Sequence, residues 1–192
     1  RLVTASAGDV NNDGYDDLLI GVPYADVDRV QGSGLVHLVD AGLVELFLGS
    51  ATGLSQEPGW TYRGQDQDGL FGWALSSAGD VNGDAFDDVV IGAYLEDSDA
   101  SADNGHAYLF LGGETGLASA PETVFEGGEE SAWFGSSIAA AGDVNSDGFG
   151  DVVIGAPGRA GGTGGVYLYL GSIDGLGENP LFIGAQTGQT WF

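Results

Sequence analysis

Three times along the chain, a short run of small residues, an acidic loop and an unbroken apolar run follow one another. The small-residue runs are Leu2 to Ala7, Trp73 to Ala78 and Ser136 to Ala141. Side chains of this size suit a strand crowded near a central axis. The apolar runs are Leu18-Leu19-Ile20, Val89-Val90-Ile91 and Val152-Val153-Ile154. Apolarity at every position, rather than at alternate ones, predicts strands buried on both faces. Glycine-bearing turns end them at Gly21-Val22-Pro23, Gly92-Ala93-Tyr94 and Gly155-Ala156-Pro157. A third strand is predicted at Leu43 to Leu48, His106 to Leu111 and Val166 to Leu170. After turns at Gly53-Leu54, Gly116-Leu117 and Gly175-Leu176, a more polar fourth strand follows at Trp60 to Arg63, Thr123 to Glu126 and Leu181 to Ile183. No segment sustains a helical period, so the expected fold class is all-β.

The tripeptide Ala-Gly-Asp recurs at residues 7–9, 78–80 and 141–143. Trp191-Phe192 at the end matches Leu70-Phe71 and Trp133-Phe134, so the chain reads as three whole repeats cut at one repeat boundary. The expected units are 1–71, 72–134 and 135–192. Four-stranded antiparallel repeats of this size, burying both sheet faces on neighbouring units, describe the blades of a β-propeller. The repeats differ most between their second and third strands, at Asp26 to Gly42, Glu96 to Asn104 and Gly158 to Gly165. These connections read as tolerated surface loops emerging on one face of the ring.

The acidic loops carry the candidate chemistry. In the third repeat Asp143, Asn145, Asp147 and Asp151 place oxygen side chains at positions 1, 3, 5 and 9, with Gly148 at position 6. Asp9, Asn11, Asp13 and Asp17 repeat the spacing, as do Asp80, Asn82, Asp84 and Asp88. Calcium takes six to eight oxygen ligands at flexible angles, and alternate positions on a tightly turning loop can face inward together. A metal-free Asp/Asn turn is the simpler reading of any one copy. Three copies of one spacing favour calcium. An EF-hand needs a Glu at position 12 between helices, whereas Ile20, Ile91 and Ile154 stand there, each in a predicted strand. Nonapeptide β-roll repeats have a much shorter period.

Charge sharpens this picture. Twenty-nine acids face four bases, all arginine, for a formal net charge of −25. Such a field opposes nucleic acid and anionic membranes and suits cations. The loops hold only eleven of the acids, so the acidity exceeds what they explain. Cysteine is absent, which removes disulfides, thiolate metal sites and cysteine nucleophiles. No apolar run is long enough to span a membrane, and no Gly-x-Ser-x-Gly or phosphate-binding loop appears.

Phe71-Gly72 with Gly92-Ala93-Tyr94, and Phe134-Gly135 with Gly155-Ala156-Pro157, bracket the acidic loops. With Gly21-Val22-Pro23 in the first repeat, the chain resembles the FG-GAP repeats of the integrin α-subunit β-propeller. The resemblance covers essentially the whole chain. It implies a propeller whose loops between first and second strands each hold a structural Ca2+, three sites in all. Their side-chain ligands would be Asp9, Asn11, Asp13 and Asp17; Asp80, Asn82, Asp84 and Asp88; and Asp143, Asn145, Asp147 and Asp151. The backbone carbonyls of Tyr15, Phe86 and Phe149 would fill position 7, and the position-9 Asp would offer a second carboxylate edge. Two departures stand out. Propellers of this family usually have seven blades, so three imply either further blades in a longer chain or a homodimer closing a six-blade ring. Ala85 replaces the position-6 glycine, which would cost roughly 1 kcal/mol if that residue needs positive φ.

The expected function is a calcium-stabilised, non-enzymatic binding or adhesion scaffold, extracellular or at the cell surface, with any targeting segment outside this chain. Its ligand would be a protein or glycan, with no nucleic acid and no membrane insertion. The alternatives are a propeller module of a secreted hydrolase or lectin recognising surface glycans, and a self-assembling structural repeat without a ligand. His37 and His106 lack the converging partners of a triad or zinc site. The aromatic residues Phe71, Trp73, Trp133, Phe134, Trp191 and Phe192 read as inter-blade core, and Trp60 as exposed. Asp16 and Asp87, at loop position 8, read as solvated, because Gly150 stands there in the third loop.

Overall fold

The computed structural model describes residues 1–32, 34–98 and 101–184. The chain runs along β1 (Val3–Gly8) and returns on β2 (Asp17–Val22). It then folds an inserted hairpin, β3 (Val27–Gln31) and β4 (Gly34–Leu38), before adding β5 (Leu43–Phe47) and β6 (Trp60–Arg63). The second unit comprises β7 (Ala74–Gly79), β8 (Asp88–Ala93), β9 (His106–Phe110) and β10 (Thr123–Glu126). The third comprises β11 (Ser137–Gly142), β12 (Asp151–Gly155), a left-handed helical turn α1 (Arg159–Gly162), β13 (Gly165–Tyr169) and β14 (Leu181–Gly184). Each unit is a four-stranded antiparallel sheet ordered first to fourth strand across its width. The pairing register is the same in all three: Leu18 faces Phe47, Val89 faces Phe110, and Val152 faces Tyr169. This is the all-β blade architecture expected from the repeats.

The first strands end in β-bulges at Ser6/Gly8, Ser77/Gly79 and Ala140/Gly142. Gly8, Gly79 and Gly142 have φ of 78°, 69° and 72°, the left-handed region that glycine enters without a Cβ clash. The glycine of each Ala-Gly-Asp therefore turns the strand sharply into the acidic loop.

Two apolar layers hold the sheets face to face. Leu19, Val44 and Leu46 of the first meet Val89, Ile91 and Phe110 of the second. The alternate residues of the second sheet, Val90, Ala107 and Leu109, meet Val152, Ile154 and Tyr169 of the third. Strands β8 and β9 are accordingly buried at every position, whereas β2 alternates buried and half-buried. Burial on both faces, expected for all second strands, is met fully only in the middle sheet, because only that sheet has a neighbour on each side. Among the described residues, no further sheet covers the outer faces of the first and third sheets.

Phe71 and Phe134 are almost fully buried and wedge into the two layers. Phe71 lies 5.2–5.3 Å from the rings of Tyr108 and Tyr62, and Phe134 lies 5.4 Å from Tyr167. Trp133 is 41 % exposed, so the tryptophans do not share the core role of the phenylalanines; Trp73 packs at the surface against Tyr94 and Arg1. Trp191 and Phe192 lie outside the described residues. Trp60 is half-buried rather than exposed, with its Nε1–H donating to the Ala118 carbonyl across the first sheet boundary. The inserted hairpin, read as a loop, packs Val27, Leu38 and Ala41 into a small core of its own.

The glycines after those phenylalanines have a separate task. A Cβ on Gly21 would stand 2.5 Å from the Gly72 carbonyl oxygen, and one on Gly92 would stand 2.1 Å from that of Gly135. The backbone after each buried phenylalanine thus rests directly on the glycine ending the previous sheet's second strand. Gly92→Ala should therefore lower stability by about 1–3 kcal/mol, the usual cost of overpacking, measured by chemical denaturation. An unchanged midpoint would show that the sheets do not meet there as described.

Candidate metal centres

Each acidic loop leaves the bulge and folds back on itself with one hydrogen-bond pattern. In the first, Asp9 accepts from the Asp13 and Gly14 N–H groups at 3.0 and 2.8 Å. Asn11 accepts from the Asp13 N–H at 3.3 Å and donates to the Asp13 carboxylate at 3.1 Å. Asp13 accepts from the Tyr15 N–H at 3.0 Å. Asp80, Asn82 and Asp84 make the same bonds to the N–H groups of Asp84, Ala85 and Phe86. Asp143, Asn145 and Asp147 make them to Asp147, Gly148 and Phe149. Two left-handed residues per loop allow this curl: Asn12 and Gly14, Gly83 and Ala85, Ser146 and Gly148. Ala85 has φ of 74°, so the middle loop keeps the turn of its sisters despite carrying a Cβ.

Position 9 behaves differently. Asp17, Asp88 and Asp151 are 3 %, 0 % and 0 % exposed. One carboxylate oxygen of each accepts from the N–H at loop position 2, that of Val10, Val81 or Val144, at 2.8–3.1 Å. The other accepts from Gly49, Gly112 or Gly171, in the turn after the third strand, at 2.7–2.9 Å. These carboxylates are buried struts joining the loop to the turn after the third strand, at the same end of its own blade.

None of the loop acids has a salt-bridge partner among the described residues. Burial pushes the Asp88 carboxyl up to about 7, and the nearby Asp84 and Asp80 charges add to the rise; Asp17 is raised for the same reasons, with Asp13 and Asp9 beside it. Among the described residues, no three carboxylate or imidazole groups already converge as a metal cage, because the carboxylates turn to backbone N–H groups. The donor set nevertheless fits a hard cation. It is all oxygen, most of the carboxylate oxygens have a second lone pair free (Asp80 Oδ1, which accepts from both the Gly83 and Asp84 N–H groups, does not), and the carbonyls of Tyr15, Phe86 and Phe149 accept no hydrogen bond among the described residues.

Position 8 corrects the reading of these residues as solvated. The Asp87 carboxylate accepts from the Asp9 N–H at 2.9 Å, and the Asp87 N–H donates to the Asp9 carbonyl at 3.1 Å. Asp87 therefore bolts the second loop to the first. Asp16 is exposed.

Two comparisons with known proteins meet this geometry. The FG-GAP repeat pattern matches residues 3–39, 71–110 and 134–169. The chain belongs to the FG-GAP repeat family. Integrin alpha-5 of Xenopus laevis is 31 % identical over 157 residues, covering 80 % of this chain and 14 % of that protein. Integrin alpha-PS2 of Drosophila melanogaster is 34 % identical over 162 residues, covering 79 % and 11 %. Integrin alpha-PS3 of the same fly is 34 % identical over 170 residues, covering 85 % and 14 %. The chain thus spans about an eighth of the length of these relatives.

One cluster in this FG-GAP chain was not singled out from the sequence. Glu96, 8 % exposed, holds the Tyr108 hydroxyl at 2.5 Å. His106, 5 % exposed, has Nδ1 3.9 Å from Glu96 and Nε2 3.8 Å from Glu126, too long for hydrogen bonds. They line a cleft of about 410 Å³ with Asp97 and Val124. Burial, then Asp66, Glu126 and Asp97, push Glu96 up to about 7, while burial holds His106 below its ordinary value. The signal was a break in the repeat. By strand register, Leu43 and Glu45 in the first blade and Gly165 and Tyr167 in the third stand where His106 and Tyr108 do.

Two outcomes follow. Ala85→Gly should raise the denaturation midpoint by the equivalent of about 1 kcal/mol, by removing a left-handed Cβ; a destabilised variant would mean the loop is not strained there. Glu96 is raised above its unfolded value, so its stabilising contribution is complete below about pH 4.5 and is lost as pH rises through about 7. Glu96→Gln should therefore melt higher than the parent at pH 8, by about 1–3 kcal/mol, and show no gain at pH 4. Equal differences at both values would disprove the buried-charge account.

Proposed function

We propose that this FG-GAP chain is a calcium-stabilised, non-enzymatic scaffold for binding or adhesion in an extracellular setting, built of repeats at 1–71, 72–134 and 135–192. The observation that carries the cation reading is the threefold recurrence of one loop geometry, each copy crowding carboxylates with no basic partner beside them. In each loop the side chains of positions 1, 3 and 5, the position-7 carbonyl and the position-9 carboxylate provide the ligands. They are Asp9, Asn11, Asp13, Tyr15 and Asp17; Asp80, Asn82, Asp84, Phe86 and Asp88; and Asp143, Asn145, Asp147, Phe149 and Asp151. A bound calcium ion supplies the positive charge these loops lack. The loop residues hold the hairpin closed, and the struts from position 9 carry that order to the turn after the third strand. No residue at the loops is left over to act as nucleophile or general base, so their role is structural.

The binding role rests on similarity to integrin alpha chains over about four-fifths of the chain. The partner would be a protein or glycan, and the uncovered faces of the first and third blades would be covered by further blades, from a longer chain or a second copy.

Isothermal titration with calcium should give three sites per chain, reduced to two in Asp147→Ala. Saturation at a hundredfold over Kd should stabilise the fold by roughly 2.7 kcal/mol per site, reversed by chelator. A melting curve identical in excess chelator, with no heat of binding, would remove the cation from this reading.

A further inference from the structure

The middle acidic loop departs from its sisters at position 4 as well as at position 6. Position 4 is Gly83 there, and Asn12 and Ser146 in the other two loops. All three residues take positive φ, of 78°, 53° and 61°. Gly83 is fitted to a neighbour, since a Cβ built on it would stand 2.8 Å from the Phe149 ring of the third loop. The departure also puts a glycine directly after Asn82. In an Asn-Gly pair the glycine nitrogen can reach the asparagine side-chain carbonyl carbon and close a five-membered ring. The chain has one other such pair, Asn104-Gly105.

The two pairs stand in opposite surroundings. Asn104 is 1 % exposed, and its Nδ2 donates to the Gly127 carbonyl at 2.6 Å. The Gly105 N–H is taken by the Glu96 carbonyl at 3.0 Å. A Cβ on Gly105 would meet the Phe134 carbonyl oxygen at 2.2 Å, so the backbone there has no room to turn. By contrast Asn82 is half-buried, and Gly83, Asp84 and Ala85 are exposed. The Gly83 N–H donates to Asp80 Oδ1 at 2.6 Å, a bond that neither sister loop makes from position 4 among the described residues. That carboxylate polarises the N–H that has to lose its proton. The Asp84 N–H donates to Asn82 Oδ1 at 3.0 Å, the atom where negative charge develops as the carbonyl is attacked. Glycine places no Cβ beside the attacking nitrogen.

We propose that Asn82 is a site of spontaneous deamidation, carried out by the loop's own backbone. The Gly83 nitrogen forms a bond to the Asn82 side-chain carbonyl carbon. The bond from that carbon to Nδ2 breaks, and Nδ2 leaves as ammonia with the proton given up by the Gly83 nitrogen. Water then opens the ring at either of its carbonyls, leaving aspartate or isoaspartate, and nothing is oxidised or reduced. The aspartate product ends the bond that Nδ2 donates to Asp84 at 2.9 Å and sets carboxylate against carboxylate. The isoaspartate product routes the main chain through the side-chain carbon, which lengthens the loop and breaks the curl held by the Asp84 N–H. Either product rewrites position 3 in one loop of the three. The reaction itself needs no cation. Its suppression by calcium rests on the proposed scaffold, in which Asn82 Oδ1 is a ligand and the amide is held still.

The test is incubation of the folded chain in chelator under mildly alkaline conditions, followed by peptide mapping with mass spectrometry and an isoaspartate assay. Asn82 should convert roughly tenfold faster than Asn104, because Asn104 can react only from a locally opened state. In denaturant, where both are plain Asn-Gly pairs, the two rates should converge. Equal rates in the folded chain would overturn the proposal, as would an Asn82 that reacts only in denaturant. Saturating calcium should slow the conversion of Asn82. Calorimetry of the same sample separates the two readings. Calcium bound with no fall in rate would overturn the suppression, whereas no calcium bound would overturn the scaffold's cation and leave the rate in chelator to decide the deamidation.

Discussion

A carboxylate with no basic partner among the described residues, buried at the base of every acidic loop, is the constraint on which the blades depend. Asp17, Asp88 and Asp151 each spend one oxygen on their own loop and one on the turn after the third strand. Burying such a charge is expensive unless it is hydrogen-bonded and compensated. The two N–H donors meet the first requirement. No arginine or histidine partner among the described residues meets the second. The acidic loop is thus an integral part of the blade rather than an appendage.

The joints between blades rest on a second economy of design, in which backbone meets backbone. At one end of the sheets, loop carbonyls accept N–H groups of the next blade. Elsewhere along the boundary, a glycine at the end of one second strand receives the carbonyl that follows the next blade's buried phenylalanine. The aromatic ring and the glycine of the Phe-Gly pair therefore divide the work: the ring fills the layer, and the glycine lets two chains touch.

Much of this was legible because it is local. The tight acidic loops were legible from the spacing of Asp, Asn and Gly, since a tight turn fixes which side chains share one face. The second, third and fourth strands appeared within a residue or two of their apolar runs. What was hidden depends on residues distant in sequence. Asp87 looked solvated because its partner, Asp9, lies 78 residues away. Trp60 looked exposed because the Ala118 carbonyl that receives it belongs to the next blade. Burial on both faces was assigned to three strands and met fully in one, since apolarity does not reveal which sheets have a neighbour on each side among the described residues. The β3–β4 hairpin was missed although two closely spaced glycines, Gly32 and Gly34, between valine-bearing runs marked it. The Glu96 cluster was a departure from the repeat, and a search for likeness passes over departures.

A joint made of main-chain atoms is indifferent to most side chains. Apart from the glycines, which must stay small, the main-chain part of the blade boundary is written in groups that every residue possesses. Changes can therefore accumulate between the second and third strands, such as the inserted hairpin of the first blade, without disturbing how blades stack. A relative sharing about a third of its residues with this chain can inherit the same stacking rule while presenting a different surface. The number of blades, by the same reasoning, is set by how often the unit is copied and not by any instruction within the unit itself.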